Sequence, residues 1–312
     1  MSRIHEALQR AYLERGKMSA STDVDVIERT EGIPELAEPQ APPAKTELVL
    51  ENVAQYPWNP SMPSFPTLAE RGAGVEQFRS LRSRIYQARY EAPLKTILIA
   101  SGMPDEGKSF VVANLAMSLA RNSIHHILLI DGDLRRPTLH SMLGAPNSLG
   151  LADYLAGKAE LAEIMQRDKR AASGNTSGVD SISNLTFIPS GKCADNSSEL
   201  VANHRIEELV TAASPYFDWI LIDAPPVLAV TDAMELARAA DAVLLVARGA
   251  ATTYEVAQRT KAAFSANRVL GFVLNAVKDT PHNKSYNYNY YYHAKPEGGG
   301  QDGQQKEFGS QE

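Results

Sequence analysis

The chain has 312 residues, 44% of them hydrophobic, which is enough for one large α/β domain with a substantial core plus extensions. A net charge of −6 gives no general electrostatic reason to bind nucleic acid, and a single cysteine, Cys193, excludes an intrachain disulfide and a cysteine-based zinc site. No stretch approaches the roughly 18 consecutive apolar residues of a membrane span, and no charged-then-apolar leader opens the chain, so a soluble cytoplasmic protein is expected.

Residues 2–16 read as a short amphipathic helix, with Ile4, Ala7, Leu8, Ala11 and Tyr12 on one face. From 17 to 70 the composition turns to Glu, Pro, Ala and Ser, with eight prolines from Pro34 to Pro66. This predicts a largely disordered tether, with a brief strand at 48–53. The expected organisation is therefore helix and tether over 1–70, one catalytic-type domain over 71–280 and a tail over 281–312. Residues 72–91 predict a helix with Val75, Phe78, Leu81, Ile85 and Ala88 along one face and Glu76, Arg79 and Arg82 along another. Spacing alone makes the second face a solvated charged one.

The first chemical stretch begins with an apolar strand over 95–100 and ends with an amphipathic helix over 109–121. Between them lie Gly102, Met103, Pro104, Asp105, Glu106, Gly107, Lys108 and Ser109, followed by Phe110. This is the G-x-x-x-x-G-K-[ST] pattern of a phosphate-binding loop, with a strand before it and a helix after it. Glycines let the backbone bend round a phosphate, and loop N–H groups at a helix N-terminus present positive charge to the anion. Lys108 is then placed for the β- and γ-phosphates of ATP, and the Ser109 hydroxyl for Mg²⁺.

Two further strands end in carboxylates. The run from His126 leads into Asp131-Gly132-Asp133-Leu134-Arg135-Arg136-Pro137, and the run from Phe217 leads into Asp223-Ala224-Pro225-Pro226. Ligands bind beyond the carboxyl ends of strands in a parallel sheet, so Asp131, Asp133 and Asp223 should gather near the phosphate loop. Carboxylates there suit Mg²⁺ coordination or proton abstraction. Helices are expected over 149–165, 197–214, 231–240 and 253–266, and strands over 185–189, 242–247 and 270–277. A polar loop is expected over 166–183. Strands alternating with helices predict a mostly parallel sheet covered on both faces, a P-loop NTPase-type α/β fold. Residues 285–293 pack Tyr286, Tyr288, Tyr290, Tyr291 and Tyr292 into seven positions, five of the chain's twelve tyrosines. They read either as a sticky, low-complexity tail or as a set of hydroxyl acceptors beside an ATP-binding domain.

Together these residues resemble the bacterial tyrosine autokinases of capsule and exopolysaccharide synthesis. Three motifs carry the likeness: the loop ending in Gly107-Lys108-Ser109 with Asn114 on its helix, ILLIDGDLRRP with Asp131, Asp133 and Arg135, and ILIDAPP with Asp223. The tyrosine cluster is a fourth feature, and Glu76-x-x-Arg79-x-x-Arg82 resembles the family's oligomerisation motif. The family usually has Gly where Asp105 stands.

The resemblance implies transfer of the γ-phosphoryl group of ATP to tyrosine. Ser109 and Asp223 would hold Mg²⁺, with Asp131 as a further metal-ligand candidate. Asp131 would activate the tyrosine hydroxyl, Asp133 would support the metal or the base, and Asn275 would contact adenine. It also implies a ring-like homo-oligomer closed through Glu76, Arg79 and Arg82, in which the tail of one subunit enters its neighbour's site. A separate membrane partner of the chain-length-determinant type would bring the protein to the inner face of the plasma membrane. The start of the chain resembles that of stand-alone cytoplasmic members of the family. Two competing readings are a partition or division-site switch ATPase, whose signature lysine is Met103 here, and a non-catalytic ATP-binding assembly factor of an export complex.

Overall fold

The structure, a computed structural model, describes residues 48–69, 71–122, 124–169, 184–192 and 197–277. The expected helix over 2–16, Cys193 and the tyrosine cluster lie outside the described residues.

Eight strands form one sheet: β1 (Ala54–Tyr56), β2 (Thr96–Ser101), β3 (Ile127–Asp131), β4 (Gln166–Asp168), β5 (Leu185–Ile188), β6 (Trp219–Asp223), β7 (Ala242–Arg248) and β8 (Val269–Asn275). The spatial order is β1-β4-β5-β3-β6-β2-β7-β8. Every pairing is parallel except β4 with β5, so the edge pair β1 and β4 runs against the other six strands. The sheet is mostly parallel with helices on both faces, as the alternating pattern predicts.

The central strands are apolar between their ends, as coverage of both faces requires. Along β2, Leu98 and Ala100 enter one core while Ile97 and Ile99 enter the other. The side-chain period of two does this, and β3, β6 and β7 repeat it. Helices α1 (Ala73–Glu91) and α2 (Lys108–Ala120) cover the face holding Ile97 and Ile99. On α1, Val75, Phe78 and Ile85 are buried as their spacing predicts, with Leu81 and Ala88 partly so. The other face is covered by α4 (Leu151–Leu155), α6 (Ser197–Val201), α7 (Arg205–Ala213) and α8 (Asp232–Leu236), together with Phe264 beyond α9 (Tyr254–Ala263). Two short helices, α3 (Leu139–Leu143) and α5 (Leu161–Ile164), complete the set.

Four expectations need correction. The tether does not run to residue 70: residues 48–69 pack on the domain, with Trp58 and Phe65 buried in the α1–α2 core and Trp58 edge-on to Phe187 at 6.1 Å. Burying two aromatics of this size contributes about 2–3 kcal/mol each, enough to hold a proline-rich segment that composition alone marks as disordered. The brief strand lies at Ala54–Tyr56, after a 3₁₀ turn at Leu50–Asn52, rather than at 48–53. The loop expected from 166 begins with β4, where Gln166 and Asp168 are buried. The single helix over 197–214 is two, because His204 takes φ +60° between α6 and α7, a left-handed conformation that a continuing helix does not permit.

Candidate active site

Strand β2 delivers the chain into the loop at Gly102, and α2 carries it away from Lys108. The backbone turns through left-handed conformations at Asp105 (φ +62°) and Gly107 (φ +91°). Asp105 therefore adopts the conformation a glycine would supply at its position, which a short polar side chain tolerates better than most. Gly107 has no such alternative, since a Cβ there would stand 1.9 Å from Asn275 Nδ2.

The loop is braced from its neighbours. Glu106 is 4% exposed; one carboxylate oxygen accepts the Met103 N–H at 2.8 Å and the other accepts the Thr252 hydroxyl. Asn275 Nδ2 donates to the Glu106 carbonyl at 3.0 Å, and Arg248 Nη1 donates to the Asp105 carbonyl at 2.9 Å. Thr252 and Arg248 brace the loop at positions that the motif reading missed. The signal was available: Arg248 ends β7 and Thr252 follows it, the same address that marked Asp131 and Asp223.

The three carboxylates gather as expected. Asp131 and Asp223 are directly paired across β3 and β6. The Lys108 ammonium lies 3.1 Å from Asp133, and Ser109 Oγ donates to Asp223 Oδ2 at 2.5 Å. Asp131 accepts backbone N–H groups from Asp133 (3.3 Å) and Leu139 (3.2 Å). Asp223 Oδ1 is buried without a hydrogen-bond partner, an orphaned anionic oxygen facing the site.

Burial, reinforced by the Asp223 charge, pushes Asp131 well above the ordinary carboxylate range. Burial also pushes Asp223 up to about 6, against the pull of Lys108 and the Ser109 hydroxyl. Burial alone would lower Lys108, but the charges of Asp223, Asp133 and Asp131 outweigh it and hold the ammonium above its usual value. A cation clamped among buried carboxylates of raised basicity is an arrangement for moving protons and stabilising phosphate charge.

Other predicted residues fall elsewhere. The Phe110 ring packs on Phe78, 5.9 Å between centroids, so only its main chain faces the loop. Asn114 points away from the phosphates: its Oδ1 accepts the Thr67 hydroxyl at 2.8 Å and its Nδ2 donates to the Ser64 carbonyl at 2.8 Å. Arg135 binds Asp232 at 3.0 Å and Ser198 at 2.6 Å, tying the loop after β3 to α6 and α8. Glu76 and Arg79 pair at 2.9 Å on the outer surface of α1, while Arg82 Nη1 donates to the Ser118 carbonyl.

Comparison with known proteins follows the same lines. Residues 94–259 match a family profile described as an AAA domain. The chain is 33% identical over 218 residues to tyrosine-protein kinase YwqD of Bacillus subtilis, covering 69% of this chain and 85% of that protein. It is 37% identical over 205 residues to tyrosine-protein kinase wzc of Salmonella typhimurium, covering 65% of this chain but 27% of that relative. The chain thus spans about a quarter of the length of such larger relatives. Among solved structures, the kinase domain of the Escherichia coli tyrosine kinase ETK superposes with a TM-score of 0.57 at 33% identity, covering 66% of this chain and 78% of that one.

Proposed function

The chain belongs to the bacterial tyrosine-protein kinase family, and from that membership we propose that it transfers the γ-phosphoryl group of ATP to protein tyrosine, its own cluster from Tyr286 to Tyr292 included. The observation that carries the reading is the convergence of Lys108, Ser109, Asp131, Asp133 and Asp223 at the carboxyl ends of β2, β3 and β6. The braced loop supplies N–H groups from Asp105 to Ser109 to the phosphates, and Lys108 adds a full positive charge. Asp131 accepts the tyrosine proton as oxygen attacks phosphorus and the bond to the leaving ADP breaks. A tyrosine pKa near 10 makes a carboxylate of raised basicity the suitable acceptor. Asp133 steadies Lys108 and so the charge balance around Asp131.

The residues fit a magnesium ion. Ser109 Oγ and the orphaned Asp223 oxygen are hard donors, and among the described residues no set of His, Cys, Asp or Glu encloses a metal by itself. That suits an ion that keeps water and phosphate oxygens as its other ligands. Such an ion would neutralise charge on the β- and γ-phosphates.

The reading extends to a ring-like oligomer closed through Glu76, Arg79 and Arg82, activated by a chain-length-determinant-type membrane partner in exopolysaccharide or capsule synthesis. No helix among the described residues is long and apolar enough to cross a membrane, and in this reading that partner recruits the chain. The switch-ATPase alternative is weakened by Met103, which stands half-exposed where the signature lysine of those enzymes would be.

The test is incubation with Mg-ATP read by intact and peptide mass spectrometry, beside Lys108→Met and a variant with the five tail tyrosines changed to Phe. Stepwise phosphate gains in the tail, absent from both variants, are expected. ADP release without mass gain would sink the kinase reading.

A further inference from the structure

A cavity of about 370 Å³ opens away from the carboxylates, between α1 and the C-terminal end of α2. Arg79, Arg82 and Tyr86 approach it from α1 at helical spacing, Arg121 from the end of α2, and buried Val75 lines its apolar side. Two guanidinium groups are fixed by main-chain carbonyls: Arg82 by Ser118, and Arg121 by Thr67 and by Ala69 at 2.8 Å. Among the described residues neither has a carboxylate partner, and Arg79 has only Glu76. Each guanidinium carries five N–H donors, so these contacts orient the groups without exhausting them. Tyr86 lines the same place while its ring packs on Trp219 at 5.6 Å, and its hydroxyl has no hydrogen-bond partner.

Preoriented arginines, an orphaned hydroxyl and an aromatic and aliphatic wall match the chemistry of an aryl phosphate. The dianion takes bidentate contacts from arginine while the ring lies on the apolar side. A pocket of this volume has room for such a group, and a phosphorylated tyrosine brings a charge of about −1.5 to −2.

We propose that this cavity is a phosphotyrosine site and that its ligand is the phosphorylated 285–293 segment of this chain. The inference rests on the autokinase reading above. It gives phosphorylation a route to the assembly helix, because a modified tail seated there occupies Arg79 and Arg82. The tail then ceases to be a substrate and becomes a competitor of the neighbouring subunit for that face of α1.

The test uses the full, phosphatase-treated chain saturated with Mg-ADP, so that the phosphate loop is filled. It is titrated with a labelled 284–293 peptide phosphorylated at Tyr290, its unphosphorylated twin, phenyl phosphate and inorganic phosphate. The phosphopeptide should bind at least tenfold tighter than the twin and than inorganic phosphate. Arg82→Gln and Arg121→Gln should each weaken it about tenfold, Tyr86→Phe a few-fold and the remote Arg238→Gln not at all. Because Arg121 also braces residues 67–69, Arg82→Gln and Tyr86→Phe decide the matter if Arg121→Gln melts early. Binding insensitive to both, or equal for the twin, would overturn the site. Equal affinity for inorganic phosphate would overturn the tail as its ligand. Synthetic phosphopeptide keeps these outcomes separate from failure of the kinase reading, which mass spectrometry reports on its own.

Discussion

Two charged regions of the molecule are built in opposite ways. At the carboxyl ends of β3 and β6, Asp131, Asp133 and Asp223 are buried and face one half-buried lysine, so charge is concentrated and only partly compensated. On α1 and the end of α2, Arg82 and Arg121 sit at the rim of an open cavity held by carbonyl oxygens, and Arg79 beside them pairs with Glu76. Burial makes the acidic cluster sensitive to protonation, since desolvation is the largest influence on Asp131 and Asp223. Exposure leaves the basic region's charge fixed and its contribution to stability small. Chemistry belongs where charge is costly, and recognition belongs where charge is cheap to keep.

The largest expected effect is at the acidic cluster. Lys108→Met and Asp131→Asn should each lower the initial rate of tail phosphorylation about 10³-fold, because each removes a group aimed at charge that develops during transfer. Quenched-flow measurement with excess ATP reads this directly.

Protonation gives the next effect. Asp223 must lose its proton to bind a metal, and burial raises its pKa to about 6 in the metal-free chain, so Mg²⁺ affinity should weaken as the pH falls below 6, a change read by titration with Mg²⁺. Stability should move the other way. The folded chain holds the Asp223 proton more tightly than the unfolded chain, whose carboxylate has the ordinary value of 3.8. Lowering the pH from about 6 toward 3.8 therefore adds a stabilising increment to the nucleotide-free protein. Asp223→Asn should abolish that increment while raising the melting temperature by a few degrees, a trade of function for stability checked by calorimetry across pH.

A smaller effect is expected at the brace between loop and β7. Glu106→Ala frees the Met103 N–H and the Thr252 hydroxyl, and nucleotide affinity should weaken about tenfold, or ~1.4 kcal/mol, by titration with ADP. The smallest belongs to the basic region. Glu76 and Arg79 form an exposed pair one turn apart, so changing both to Ala should cost at most about 0.5 kcal/mol of stability while removing the proposed oligomer, with light scattering as the readout. A large loss of stability there would erase the contrast between the two regions.

Much of this was legible in the residue order. The apolar runs before Gly102, Asp131 and Asp223 are local signals, and in a parallel sheet the end of a strand is already an address. Strand, loop and helix around Lys108 follow from spacing, because the phosphate loop is a continuous piece of chain whose constraints act on its own backbone. Other features depend on groups far apart in sequence. Residues 48–69 look like a tether until Trp58 meets Phe187, and β4 looks like loop until Gln166 pairs with Phe187 of β5. The Thr252 contact with Glu106 spans 146 residues, and the cavity joins Arg82 to Arg121 across two helices. Sequence by itself determined the α/β class, the phosphate loop and the three carboxylates, since each is encoded within a strand and the turn after it. Tertiary structure alone decided which distant side chains brace that loop, how far burial raises Asp131 and Asp223, and where arginines from separate helices converge. Burial and long-range contact are properties of the packed chain and of no single segment.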